Sequence, residues 1–170
     1  MRFSVLLSVA AALLTGCGQK TSPAPDAAPA PDNGPQHAQP KLRTMKIYLG
    51  PEVFDAELAL SQKEIMTGMM FRTNIQETDA MLFVLPYTDR ASFWMTNCPE
   101  SISAAYINPD GVIEEIHHLE KNDNTGVKSA SVNIRFVLET RDGWFTRHNI
   151  PPGTVVTTEK GPLADVFLKR

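Results

Sequence analysis

The sequence predicts a mainly β domain, a sandwich or barrel-like arrangement of about eight short strands with one or two short helices. Three observations predict it. Apolar residues recur with period two or in short unbroken runs, not with the period of long helices. Turn residues punctuate those runs at short intervals: Gly50-Pro51, Asn108-Pro109-Asp110-Gly111 and Pro151-Pro152-Gly153. No internal repeat interrupts the pattern.

Taken in order, Met45-Lys46-Ile47-Tyr48-Leu49 reads as a strand ended by the Gly50-Pro51 turn. Phe54, Ala56, Leu58 and Leu60 then alternate with Asp55, Glu57 and Ala59, as in a half-buried strand. Ser61 and Glu64 have the spacing of a capping box, so a short helix should run over 62–69. The unbroken apolar run 81–85, closed by Pro86, reads as a buried strand, and 92–96 and 104–107 as two more. Asn108-Pro109-Asp110-Gly111 marks a hairpin into 112–119, and 121–126 is polar loop. Strands over 134–139 and 154–157 follow, separated by a turn or short helix at 144–148 and by Pro151-Pro152-Gly153.

Ahead of the domain the composition changes twice. Arg2 and the apolar stretch from Val5 to Leu14 have the charge and length of a signal peptide rather than a membrane span. Leu14-Thr15-Gly16-Cys17 resembles the bacterial lipobox, which implies cleavage by signal peptidase II and acylation of Cys17 by the lipoprotein-processing enzymes, palmitate included. The expected organisation is a signal peptide over 1–16, a lipidated Cys17 with a Pro/Ala-rich disordered tether over 17–44, and one β-rich domain over 45–170. The expected address is the periplasmic side of a bacterial envelope, anchored in a lipid bilayer. Gly18 in place of Asp points to the outer membrane. A formal net charge of −3, with no basic run, excludes a strong electrostatic footprint for nucleic acid.

Of the two cysteines, lipidation consumes Cys17 and leaves Cys98 without a partner, expected as a small buried hydrophobe. His117 and His118 are adjacent, and strand neighbours point to opposite faces, so they do not chelate one ion. Met66, Met69 and Met70 have the spacing of a helical core face. No metal and no cofactor is expected.

Several blocks occur together and in order: Met69-Met70-Phe71-Arg72, Ala80-Met81-Leu82-Phe83-Val84, Phe93-Trp94-Met95-Thr96-Asn97, the hairpin from Tyr106 to Ile113, and Phe136-Val137-Leu138-Glu139. Trp144 and Ile150-Pro151-Pro152-Gly153 complete the series. Over residues 45–157 the chain resembles the family called domain of unknown function 192. That resemblance implies a compact β-sandwich-like fold, often secreted or lipid-anchored, and no established activity. The chain departs from the pattern where members carry a threonine, a proline and an aspartate: Cys98, Ser101 and Ser103 fall there.

No catalytic signature is present, and an enzyme is not the favoured reading. The candidate site is a polar-aromatic pocket of Arg72, Trp94, Asn97 and Glu139, with Trp144 beside it. It would bind a small ligand such as a sugar or cell-wall fragment. In a purely structural reading Arg72 and Glu139 form an ion pair and Asn97 caps a turn. The protein would then be an envelope scaffold or adaptor that docks another protein. A third, hydrolase-like reading pairs Glu139 with His148 or Asp79.

Overall fold

The computed structural model describes residues 34–169. The expected signal peptide, Cys17 and the first half of the tether lie outside the described residues. In chain order the elements are β1 (Thr44–Leu49), β2 (Glu52–Ala59), α1 (Gln62–Thr67), β3 (Ala80–Asp89), β4 (Ser92–Phe93), β5 (Ile102–Ile107), β6 (Ile113–Leu119), β7 (Val127–Lys128), β8 (Ile134–Arg141), α2 (Trp144–Arg147), β9 (Val156–Thr158), β10 (Gly161–Pro162) and α3 (Leu163–Phe167). The fold is mainly β, as expected, with β7 and β10 added, two-residue pieces too short to carry a periodic signal, and with the expected strand over 92–96 cut to the two residues of β4.

Eight strands form one sheet in the order β10-β9-β1-β2-β3-β8-β5-β6, and β4 pairs with β7 in a separate ribbon. The sheet curls. Val112, before β6, bridges Val155, before β9. The Val156 N–H donates to the Gly111 carbonyl at 2.7 Å and the Ile113 N–H to the Thr154 carbonyl at 2.9 Å. All pairings within this sheet are antiparallel except β2 with β3. A parallel pair needs a crossover of a dozen or more residues, and residues 60–79, α1 included, supply it. That crossover is laid over one face of the sheet.

Both faces are apolar at the centre, which is why 81–85 reads as an unbroken run and all six residues of β5 are buried. On one face Ile47, Phe54, Leu58, Leu82, Phe136 and Leu138 pack with Trp144 and Phe145 of α2 and Leu163 of α3. On the other Met81, Phe83, Ala104, Tyr106 and Val137 pack with Met69, Met70, Met95 and Cys98, which arrive from the crossover and from the segment after β4. Burying each Leu, Phe or Met side chain contributes about 1.5–3 kcal/mol, so the second layer is held mainly by packing.

Helix α1 is capped as its sequence requires: the Glu64 N–H donates to Ser61 Oγ, and the Ser61 N–H donates back to the Glu64 carboxylate at 2.7 Å. It stops two residues before the expected end because Gly68 takes φ +46°, and a Cβ there would lie 3.3 Å from the Phe83 ring. The last stretch of the expected tether is tied to the domain. Gln39 Nε2 donates to the Gly68 carbonyl at 2.9 Å, and the Leu42 N–H to the Glu57 carboxylate at 2.7 Å.

Candidate functional site

The crossover and the β3–β5 connection do not fill the space they enclose. A cavity of about 250 Å³ remains between α1, the far end of β3 and the segment 89–98. Met69, Met70, Phe83, Phe93, Met95 and Cys98 supply its apolar walls, and Glu139 is its buried acid. Met66, Tyr87 and Trp94 line it too but are half or more exposed, so they form its rim.

Each wall residue is set by its element. Along β8 alternate residues face opposite sides, so Val137 and Glu139 share the cavity face while Phe136 and Leu138 enter the other core. Glu139 stands opposite Met81 of β3 and Ala104 of β5, both without exposure. The same alternation separates Phe93 from Trp94. The Phe93 ring packs edge-on against Phe83 at 5.1 Å, and Trp94 turns outward at 54% exposure. The ribbon holds Phe93 down: the Tyr106 hydroxyl donates to the Val127 carbonyl at 2.7 Å, and the Ala91 N–H to Ser129 Oγ at 2.9 Å.

Glu139 is 4% exposed and its carboxyl has no hydrogen-bond partner among the described residues. Burial pushes this carboxyl up to about 8, against 4.5 for an unperturbed one, and the more distant Arg72 charge offsets little of that. A neutral acid therefore lies among thioethers and rings. Burial likewise pushes the Cys98 thiol up to about 12, which removes thiolate chemistry at neutral pH.

The four expected site residues divide. Trp94 and Glu139 meet at the cavity; Arg72 and Asn97 do not line it. The expected Arg72–Glu139 ion pair is not formed. Arg72 instead closes bidentately on Glu57, at 2.5 and 2.9 Å, because the parallel crossover returns the chain beside β2. Asn97 is exposed with φ +58°, and its carbonyl accepts the Phe71 N–H at 2.7 Å. It joins the two segments that wall the cavity through its backbone. Trp144 lies on the opposite face of the sheet, packed on Phe54 and stacked on His148 at 4.3 Å.

The proposed acid–base partners of Glu139 are placed elsewhere: His148 faces Glu52 and Glu77, and Asp79 accepts the Gln76 N–H. His117 pairs with Glu115 and packs on Tyr106, whereas His118 pairs with Asp142 and Glu120, so the two imidazoles diverge as their strand requires. No three His, Cys, Asp or Glu side chains group as metal ligands among the described residues. Ser103, expected at the family's aspartate position, accepts the Gly143 N–H at 2.8 Å and donates to the Asp142 carboxylate at 3.3 Å. Sequence reasoning placed Met69 and Met70 in a core but missed that Met95, Cys98 and Phe83 join them around a space. The cue was the excess of thioethers flanking the two aromatic blocks.

No curated protein matches the chain. Two of the solved structures that resemble it are bacterial proteins. One is a protein of Sinorhizobium meliloti provisionally described as a transcription regulator, with a TM-score of 0.66 and 22% identity over 71% of this chain and 97% of that one. The other is a protein of unknown function from Novosphingobium aromaticivorans, with a TM-score of 0.60 and 28% identity over 66% of this chain and 82% of that one. The model of domain of unknown function 192, described as "Uncharacterized ACR", matches residues 45–158, and the chain belongs to that family.

Proposed function

We propose that the domain binds a small ligand in the cavity walled by Met69, Met70, Met95 and Phe93, with Glu139 as the polar anchor. One observation carries this reading: Glu139 is a buried carboxyl with no partner among the described residues, and it faces open space. Leaving a buried polar group unpaired costs about 1–3 kcal/mol, a cost that a bound ligand removes. A polar anchor in an otherwise apolar pocket is the usual composition of a ligand site. Because Arg72 and Asn97 stay outside and the buried lining is mainly thioethers and rings, a sugar would find few polar groups where it needs many. The ligand is therefore a molecule with an apolar body.

The domain is further proposed to work at the periplasmic face of the envelope, in the outer membrane, carried on acyl chains at Cys17. Its support is the lipobox-like Leu14-Thr15-Gly16-Cys17 and the Pro-rich stretch that follows. Replacing Cys17 with Ala and following labelled fatty-acid incorporation tests this; continued labelling contradicts it.

A thermal-shift screen with small apolar compounds tests the cavity. Binding to the native state alone adds RT ln(1 + [L]/Kd), about 2.7 kcal/mol at a hundredfold excess over Kd. A rise in Tm that Cys98→Phe abolishes supports the reading. Compounds small enough to enter that leave Tm unchanged contradict it.

A further inference from the structure

We infer that the cavity selects a small organic cation, an ammonium on a short apolar tail, whose charge pairs with Glu139. The inference rests on the cavity being a ligand site and adds the ligand's charge and size.

The charge follows from what already surrounds Glu139. Arg72, Cys98 and Tyr106 interact with it electrostatically. Arg72 spends both terminal nitrogens of its guanidinium on Glu57. Cys98 and Tyr106 stay neutral, since burial raises both. Arg90 and Asp89 also line the cavity. The Arg90 guanidinium is turned to the carbonyls of Ser129 and Ala130, and the Asp89 carboxylate accepts the Arg90 N–H. Arg72 and Arg90 thus both have protein partners. Glu139 has none.

An anionic ligand would bring a negative charge into an apolar cavity with no free cation to receive it. A neutral alcohol can exchange hydrogen bonds with the carboxyl but supplies no charge. An ammonium does both, and the Phe83, Phe93 and Trp94 rings add faces that attract cations. On binding, the Glu139 carboxyl ionises, its proton passes to solvent, and the carboxylate pairs with the ammonium; charge and protons balance. Size follows from volume. A cavity of roughly 150 Å³ holds benzene, so about 250 Å³ suits a tail of six to eight carbons.

The test is calorimetric titration of the full chain at pH 7 with hexylamine, hexanol and hexanoate, each in phosphate and in Tris. Hexylamine is expected to bind at least tenfold tighter than hexanol, with a heat that changes between buffers as one proton is released. Glu139→Gln should erase the tenfold preference and the buffer dependence while hexanol still binds. Equal affinity for amine and alcohol, both lost in Cys98→Phe, overturns the inference and leaves the ligand cavity standing. Tighter binding of hexanoate overturns it in the same way. No binding by any of the three overturns both.

Discussion

Glu57 and Glu139 stand in one row across the sheet, on β2 and β8, with only Met81 of β3 between them. Two strand spacings put their backbones about 10 Å apart on the same face. Arg72 closes on Glu57 and leaves Glu139 without a partner. One acid is structural and the other faces the cavity, and the path of the crossover decides which.

The pairing has an energetic signature. Arg72→Ala strands a carboxylate whose side chain is 10% exposed, which should cost about 3 kcal/mol. Double-mutant cycles locate the partner: Arg72→Ala should couple to Glu57→Gln by about 1.5 kcal/mol or more, and to Glu139→Gln by less than about 0.5 kcal/mol. Urea denaturation of the six proteins measures both terms, and the reverse ranking contradicts the assignment.

The two acids should impose opposite pH dependences. The folded chain keeps the Glu139 proton up to pH of about 8, whereas the unfolded chain gives it up near 4.5. Stability therefore falls as pH rises through that window, and the loss is complete above it. At Glu57 burial acts to raise the carboxyl, but the Arg72 and Leu42 hydrogen bonds outweigh it and hold the group below the usual range. Its contribution is present above 4.5 and is lost as pH falls. Glu139→Gln should match the wild type at pH 4.5 and exceed it at pH 8.5. Urea midpoints across pH check this; parallel curves contradict it.

At Asn97 the backbone, not the amide, is the asset. A left-handed residue other than Gly costs about 1–2 kcal/mol, least for Asn and Asp, so Asn97→Ala should destabilise while Asn97→Gly stays near the wild type. Chemical denaturation of both variants measures it. A loss on Asn97→Gly equal to that on Asn97→Ala would mean that the side chain acts after all.

Closure of the sheet depends on a close approach at Gly111. Its φ is +84°, and a Cβ there would lie 2.8 Å from the Val156 carbonyl oxygen, whereas Gly153, at φ +91°, has open space around it. Gly153→Ala should therefore cost about 1 kcal/mol and Gly111→Ala about 2 kcal/mol or more. Thermal denaturation of the two variants compares them directly.

Much of the fold was legible because its cues are local. The Ser61/Glu64 cap, the alternation from Phe54 to Leu58 and the Asn108–Gly111 turn each specify their own element. β7 and β10 were not legible, since a pair such as Val127-Lys128 acquires its pairing only from Ser92 and Phe93. At the site, Glu139 and Trp94 stood out as a polar and an aromatic residue inside apolar blocks. The partner of Arg72 did not: Glu57 and Glu139 are equivalent in an alternating pattern, and only the parallel crossover distinguishes them.

Methionine methyl groups offer the most direct test of the cavity. The chain has seven methionines, and four of them, Met66, Met69, Met70 and Met95, line it. Met45 packs against the other core and serves as the internal reference. In methyl-13C-methionine spectra titrated with hexylamine and, separately, with toluene, the Met69, Met70 and Met95 signals should move saturably while Met45 stays fixed. Signals of those three that do not move with either compound, or that drift together with Met45 without saturating, would contradict a ligand cavity at Glu139.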